Sequence, residues 1–184
     1  MKKVIVLNGS PNTEGLTATC GREFIAGAEA AGAAVELVHL CQLDLKHCQQ
    51  CAQGWGACRV EGRCVIVDDF ADLRAKVLAA DIWALATPVY FGDLSESAKA
   101  FTDRLRRCHI GDPDKSLAGK DFVAIAAAGG TGGGATACLH ALDRFCQHTG
   151  QRPADFIAIT RRSRIYKLPC LRAAGQSVVE QEWE

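Results

Sequence analysis

A doubly wound α/β domain with a five-stranded parallel sheet is expected from three features of this 184-residue sequence. Five short apolar runs recur along it, and segments of helical character separate them. The runs are continuous rather than alternating, as in strands buried on both faces. The β–α repetition then requires parallel pairing with right-handed crossovers.

The first run is Val4 to Leu7, followed by an alanine-rich and charged helical segment from Thr17 to Ala31. Val35 to Leu40 is the second run, and a cysteine-rich segment over 41–68 follows it. A helix is expected from Phe70 to Ala79, then a third strand from Ile82 to Thr87 and a helix from Leu94 to Arg107. Phe122 to Ala127 and Phe156 to Ile159 supply the last two strands, with a helix from Ala135 to His148 between them. The segment 161–184 reads as a C-terminal extension, basic and then acidic, with a short helix near its end. No repeat, low-complexity tract or linker divides the chain, so 1–184 is expected to fold as a single domain.

Lys and Arg number 21 and Asp and Glu 21, so the formal net charge is zero. Neither a nucleic-acid surface nor an acidic tail is expected from that balance. The four apolar residues before Asn8 are too few for a secretory signal, and no stretch approaches membrane-spanning length. A cytoplasmic location is expected, where the ten cysteines stay reduced and a cluster of them signals metal or redox chemistry.

In this architecture ligands bind beyond the carboxyl ends of the strands, where strand order reverses. Three loops are placed there. Gly9 to Thr17 (GSPNTEGLT) carries Ser10, Asn12, Thr13 and Thr17 and opens directly onto a helix, which suits a phosphate. Its glycine spacing and lack of a following lysine exclude a triphosphate-binding P-loop. Pro88, Val89, Tyr90, Phe91 and Gly92 set a rigid, aromatic turn at the end of a buried strand, suited to a flat ring. Gly129, Gly130, Thr131 and Gly132 open the most glycine-rich stretch, where backbone can approach a planar ligand closely. Together the loops describe a site for a planar cofactor with one phosphate, which suggests FMN. An N-capped surface loop and two core-capping rings would leave the same residues in the first two loops.

Cys48, Cys51, Cys58 and Cys64 fall within seventeen residues, as Cys48-x-x-Cys51 and Cys58-x5-Cys64, with Gly54, Gly56 and Gly62 loosening the backbone. Thiolates gathered by short loops can hold zinc or an iron–sulfur cluster, and their spacing leaves both open. The six other cysteines are scattered and read as small buried hydrophobes.

These residues resemble the flavodoxin-like NADPH-dependent FMN reductase superfamily and, within it, the iron–sulfur flavoproteins. GSPNTEGLT is similar to the GSP-x-x-x-G-N-T phosphate loop of that family. TPVYFGDLSESAKAFTDR resembles its P-[VI]-Y-[FW]-x-x-[MVL]-[ST]…K-x-x-x-D-R segment, and Cys64 to Asp69 its C-V-I-x-D-D. The resemblance spans about residues 1–150. It implies strand order 2-1-3-4-5, with the cysteine-rich insertion after strand 2. Ser10, Asn12 and Thr17 would hold the FMN phosphate, Pro88 to Gly92 would line the ribityl chain and ring, and Gly129 to Gly132 would meet the ring's other edge. The four cysteines would bind a 4Fe–4S cluster, with zinc as the alternative.

The resemblance also implies an oxidoreductase served by NAD(P)H, a quinone or a ferredoxin, assembled as a homodimer or homotetramer. A flavodoxin-like electron carrier with no substrate of its own is a further alternative. The basic group Arg161, Arg162, Arg164 and Lys167 would suit an acidic redox partner or a 2′-phosphate, or simply face solvent. Lys99, Asp103 and Arg104 match the family segment and are read as structural, the first two being one helical turn apart. Two departures stand out. Leu16 replaces the family's usual Asn, and Gly54 occupies the expected third ligand position, with Cys58 four residues later and Cys41 as a possible substitute.

Overall fold

Successive side chains of a strand point to opposite faces, so a continuous apolar run feeds two cores at once. The computed structural model, which describes residues 1–181, has both. Ile5, Leu7, Trp83, Leu85, Phe122 and Ala124 are buried on one face of the sheet, and Val4, Val6, Ile82, Ala84, Val123 and Ile125 on the other. The strands are β1 (Lys3–Asn8), β2 (Ala34–His39), β3 (Ile82–Pro88), β4 (Asp121–Ala128) and β5 (Arg152–Thr160). All pairings are parallel and the order is β2-β1-β3-β4-β5, so strand order reverses between β1 and β3.

The helices are α1 (Leu16–Ala30), α2 (Ala57–Val60), α3 (Phe70–Ala79), α4 (Glu96–Gly111), α5 (Ala135–Thr149) and α6 (Arg164–Glu180). Helices α3, α4 and α5 contribute to the first core, α1 and α6 to the second. Ser95 caps α4 by accepting the Ala98 amide at 3.4 Å. Glycine flanks α5 at both ends in the left-handed conformation, Gly134 at φ 82° and Gly150 at φ 65°. No helix among the described residues is long and apolar enough to cross a membrane.

The C-terminal extension departs from expectation. Instead of a short terminal helix it forms α6, seventeen residues long with Pro169 inside it. Tertiary packing outweighs the poor local signal. A side chain at Gly27 would collide with the Arg172 carbonyl, and one at Gly175 with the Phe24 carbonyl, so α1 and α6 approach backbone to backbone. Leu171, Val178 and Val179 are buried in the second core. Residues 182–184 lie outside the described residues.

Candidate functional site

The first loop is built from side chains that brace its own backbone. Asn8 Oδ1 accepts the Ser10 amide at 3.0 Å, Ser10 Oγ accepts the Asn12 amide at 3.2 Å, and Asn12 Oδ1 accepts the Glu14 amide at 2.9 Å. Gly15 precedes α1 and no side chain caps the helix, which leaves its first amides without a side-chain acceptor. Ser10 and Thr17 are buried against that end.

The second loop leaves β3 with the Val89 amide donating to the Ala127 carbonyl at 3.0 Å. It then closes a two-residue turn in which Tyr90 and Asp93 exchange amide–carbonyl bonds at 3.0 Å each. Phe91 and Gly92 form the tip with φ 54° and 84°, the left-handed pair that such a turn requires. The third loop packs on this turn. A Cβ at Gly134 would lie 2.7 Å from Gly92 Cα, so glycine is needed there for contact as well as for φ.

Together these loops surround a cavity of about 1290 Å³, above the roughly 300–1,000 Å³ typical of small-molecule sites. Ser10, Asn12, Thr17, Pro88, Val89, Tyr90 and Gly129 line it. Phe91 and Gly92 stand at the turn tip rather than on the wall, with the Phe91 ring in solvent. Gly130, Thr131 and Gly132 likewise lie off the wall. Arg161, in the turn between β5 and α6, and Arg164, Leu168 and Pro169 of α6 supply a further side.

A second, much smaller cavity of about 20 Å³ lies beside the C-terminal half of α4. Cys48, Cys51, Cys58 and Cys64 all line it, so the insertion bearing Gly54 brings Cys58 to the same place as the other three. Cys41 is elsewhere, with its Sγ 3.3 Å from Ser97 Oγ and 3.6 Å from the Gly9 carbonyl. Among the described residues, no three His, Cys, Asp or Glu side chains are gathered closely enough to clasp a single ion. The donor set is nonetheless that of a soft metal centre.

The segment carrying these thiols is fastened at its base and along α4. Asp69 Oδ2 accepts the Asp44 amide at 2.7 Å and Asp68 Oδ2 the Lys46 amide at 2.9 Å, closing the loop where it enters and leaves. The Arg107 guanidinium donates to the Gly54 carbonyl and lies 4.1 Å from the Trp55 ring. A Cβ at Gly62 would come within 2.9 Å of Asp112 Cα, and one at Gly111 within 2.5 Å of the Arg59 carbonyl. Both glycines therefore let α2 and its flanks dock on the end of α4.

Sequence reasoning missed Arg104 and Cys108 as site residues, though both are on the cavity wall. Arg104 forms a forked ion pair with Asp68, at 2.5 and 2.9 Å, and also donates to Cys64 Sγ at 3.3 Å. Burial raises the Asp68 carboxyl, but the Arg104 hydrogen bonds, the Lys46 and Phe70 amides and the Arg104 charge outweigh it and hold the group below the usual carboxylate range. Burial alone would lower Arg104, and its bonds to Asp68 and Cys64 instead keep it above its ordinary value. Burial pushes the Cys108 thiol up to about 12, helped by nearby Cys64. The signal for both was periodicity: Arg104, Arg107, Cys108 and Gly111 share one face of α4. Lys99 and Asp103 pair with each other at 2.5 Å on the helix surface.

The family model for NADPH-dependent FMN reductases matches residues 2–161. The chain belongs to that family. An iron–sulfur flavoprotein of Methanocaldococcus jannaschii is 37% identical to this FMN reductase family member over 109 residues, 59% of this chain and 54% of that one. Another, from Archaeoglobus fulgidus, is 31% identical over 134 residues, 72% of this chain and 62% of that one. The chain thus spans somewhat over half the length of these curated relatives. Among solved structures, the NAD(P)H:quinone oxidoreductase from Methanothermobacter marburgensis superposes with a TM-score of 0.77 at 17% identity, covering 100% of this chain and 98% of that one. Like the flavodoxins among its structural neighbours, it shares the fold.

Proposed function

We propose that this protein is an FMN-dependent oxidoreductase of the iron–sulfur flavoprotein type, with FMN in the large cavity and a 4Fe–4S cluster on Cys48, Cys51, Cys58 and Cys64. The observation that carries this reading is the pairing of the two cavities. A phosphate-type loop and a Pro-Val-Tyr turn converge at the switch point, while four thiols share a cavity on the helix that follows that turn.

Bound FMN would supply both one- and two-electron chemistry, which lets it mediate between a one-electron cluster and a two-electron substrate. The chain's own residues do the holding. Ser10, Asn12 and Thr17, with the uncapped amides of α1, provide donors for a phosphate dianion at the positive end of the helix dipole. Pro88, Val89 and Tyr90 form one wall for the ring, with Gly92 shaping the turn beneath Phe91. Gly129 to Gly132 keep the opposite loop free of bulky side chains. The cavity exceeds the usual single-ligand volume and opens toward Arg161 and Arg164. That favours entry of an anionic electron donor such as NAD(P)H, with a quinone or ferredoxin as the other exchange partner.

Anaerobic purification followed by FMN, iron, acid-labile sulfide and zinc analysis tests the reading. About one FMN and four each of iron and sulfide per chain are expected. Stoichiometric zinc without sulfide would replace the cluster with a structural metal. A folded chain that does not bind FMN would refute the cofactor assignment. Flavin-dependent NAD(P)H oxidation with quinones would separate an enzyme from a carrier.

A further inference from the structure

Arg104 is a buried cation whose every contact is fixed. Its side chain is 1% exposed and that of Asp68 0%. One terminal nitrogen, Nη1, donates to Asp68 Oδ2 at 2.5 Å and to the Lys46 carbonyl at 2.8 Å. The other, Nη2, donates to Asp68 Oδ1 at 2.9 Å and to Cys64 Sγ at 3.3 Å. The Phe70 ring lies 4.1 Å from the guanidinium carbon and covers that face of the fork. A planar guanidinium held in this way has no freedom to swing off the sulfur. The Asp68 carboxylate is itself held by the Lys46 and Phe70 amides.

We infer that Arg104 sets the reduction potential of the cysteine-bound cluster by donating a fixed, charged hydrogen bond to the Cys64 ligand, with Asp68 moderating that charge. The inference rests on the cluster reading above. Reducing a cluster adds one negative charge and neither makes nor breaks a bond to the protein. A buried N–H donor and positive charge at a ligand sulfur stabilise the reduced form, because hydrogen bonds to the sulfurs and local net charge are among the terms that set cluster potentials. Low dielectric around the pair strengthens the effect, and Asp68 offsets part of it. Arg104 is a positioning residue in this account and touches the ligand rather than any substrate.

The two residues should act in opposite directions. Removing the donor with Arg104→Gln disfavours reduction, whereas removing the counter-charge with Asp68→Asn leaves the guanidinium less compensated and favours it. The experiment is a mediator-coupled redox titration of anaerobic protein, followed by the cluster's electron paramagnetic resonance signal, with iron and sulfide measured first. Arg104→Gln should lower the reduced-to-oxidised ratio at fixed potential by at least tenfold, a shift of about 59 mV for one electron. Asp68→Asn should shift it upward. Arg104→Lys keeps the charge without the fork and should fall between wild type and Gln, which preserves the test if the Gln variant does not fold.

Unchanged potentials in variants that retain the cluster would overturn the proposal. So would loss of iron from Arg104→Lys and Asp68→Asn with FMN binding intact, since Arg104 would then only hold the loop. Zinc without sulfide in the wild-type protein would remove the cluster reading itself, and that result is visible before any variant is titrated.

Discussion

Gly111 ends α4 where the cysteine segment docks, and replacing it with alanine should separate the two cavities functionally. The added Cβ would sit 2.5 Å from the Arg59 carbonyl group and collide with the carbonyl of Cys58. Ordinary contact begins near 3.4 Å, so α2 must move outward by roughly 1 Å. Overpacking of this kind costs about 1–3 kcal/mol, while the helix propensity gained at a Gly→Ala site returns about 0.5–1 kcal/mol or less at a helix end. The fold should therefore survive with a modest loss of stability. Metal–ligand distances tolerate only about 0.2 Å, so a shift of roughly 1 Å at Cys58 should abolish binding of the proposed cluster. Gly111 lies at the far end of α4 from Ser95 and does not line the large cavity. Iron and sulfide per chain should fall sharply in Gly111→Ala, with FMN affinity unchanged by fluorescence titration. Full iron content in a folded Gly111→Ala protein would refute the idea that close docking of α2 positions Cys58.

On the proposed phosphate assignment, Ser10→Ala removes a donor to the phosphate, and it removes the acceptor for the Asn12 amide. A charge-assisted bond worth about 1.5–3 kcal/mol predicts FMN binding weakened by roughly 10- to 100-fold, with little change in thermal stability. Cys58→Ser should lose iron, whereas Cys108→Ser should keep it, because the Cys108 thiol is held in the core near 12 and Cys58 rides on the segment that encloses the cavity. Iron analysis of both variants decides between them. Acid should destabilise the protein in two stages. Burial, with Lys115 adding, lowers His109, so the unfolded chain protonates first and stability begins to fall as pH drops through about 6.5. Asp112 is also lowered, burial being outweighed by Ser116, the Asp114 amide and Arg74. Its contribution, fully present above about 4, is lost as pH falls through its folded value. Chemical denaturation at a series of pH values checks this, and His109→Gln should flatten the first stage.

Much of the sheet was legible because burial on both faces writes itself as continuous apolar runs. The helix expected at Phe70 to Ala79 has those bounds, and the strand bounds differ from the apolar runs by a few residues at most. Strand β2 ends at His39, one short of its run, and the largest difference is at the start of β5, where Arg152 and Pro153 hide the edge strand. Helix α6 was not legible. Its docking on α1 depends on Gly27 against the Arg172 carbonyl and Gly175 against the Phe24 carbonyl, glycines that argue against helix locally, and Pro169 adds to the disguise. The thiols could be named from spacing, but their shared cavity could not, because it depends on docking against α4. Asp68 was seen as part of a motif, while its partner Arg104 lies 36 positions away and was read as structural. The aromatic Phe91 shows the opposite error: a ring next to Tyr90 looks like a cofactor wall, yet the left-handed turn aims it outward.

Helix α4 also acts as a ruler. Near its start, Ser97 Oγ donates to the Gly9 carbonyl of the first loop at 3.3 Å, and seven residues later Arg104 reaches Cys64. At 1.5 Å per residue that offset is about 10 Å along the axis, set by backbone hydrogen bonds and not by loop conformation. A single inserted residue between Ser97 and Arg104 would rotate the second contact by about 100° and carry the arginine off the thiol face, leaving the phosphate end in place. The registration of the two cavities is thus written in the length of one helix.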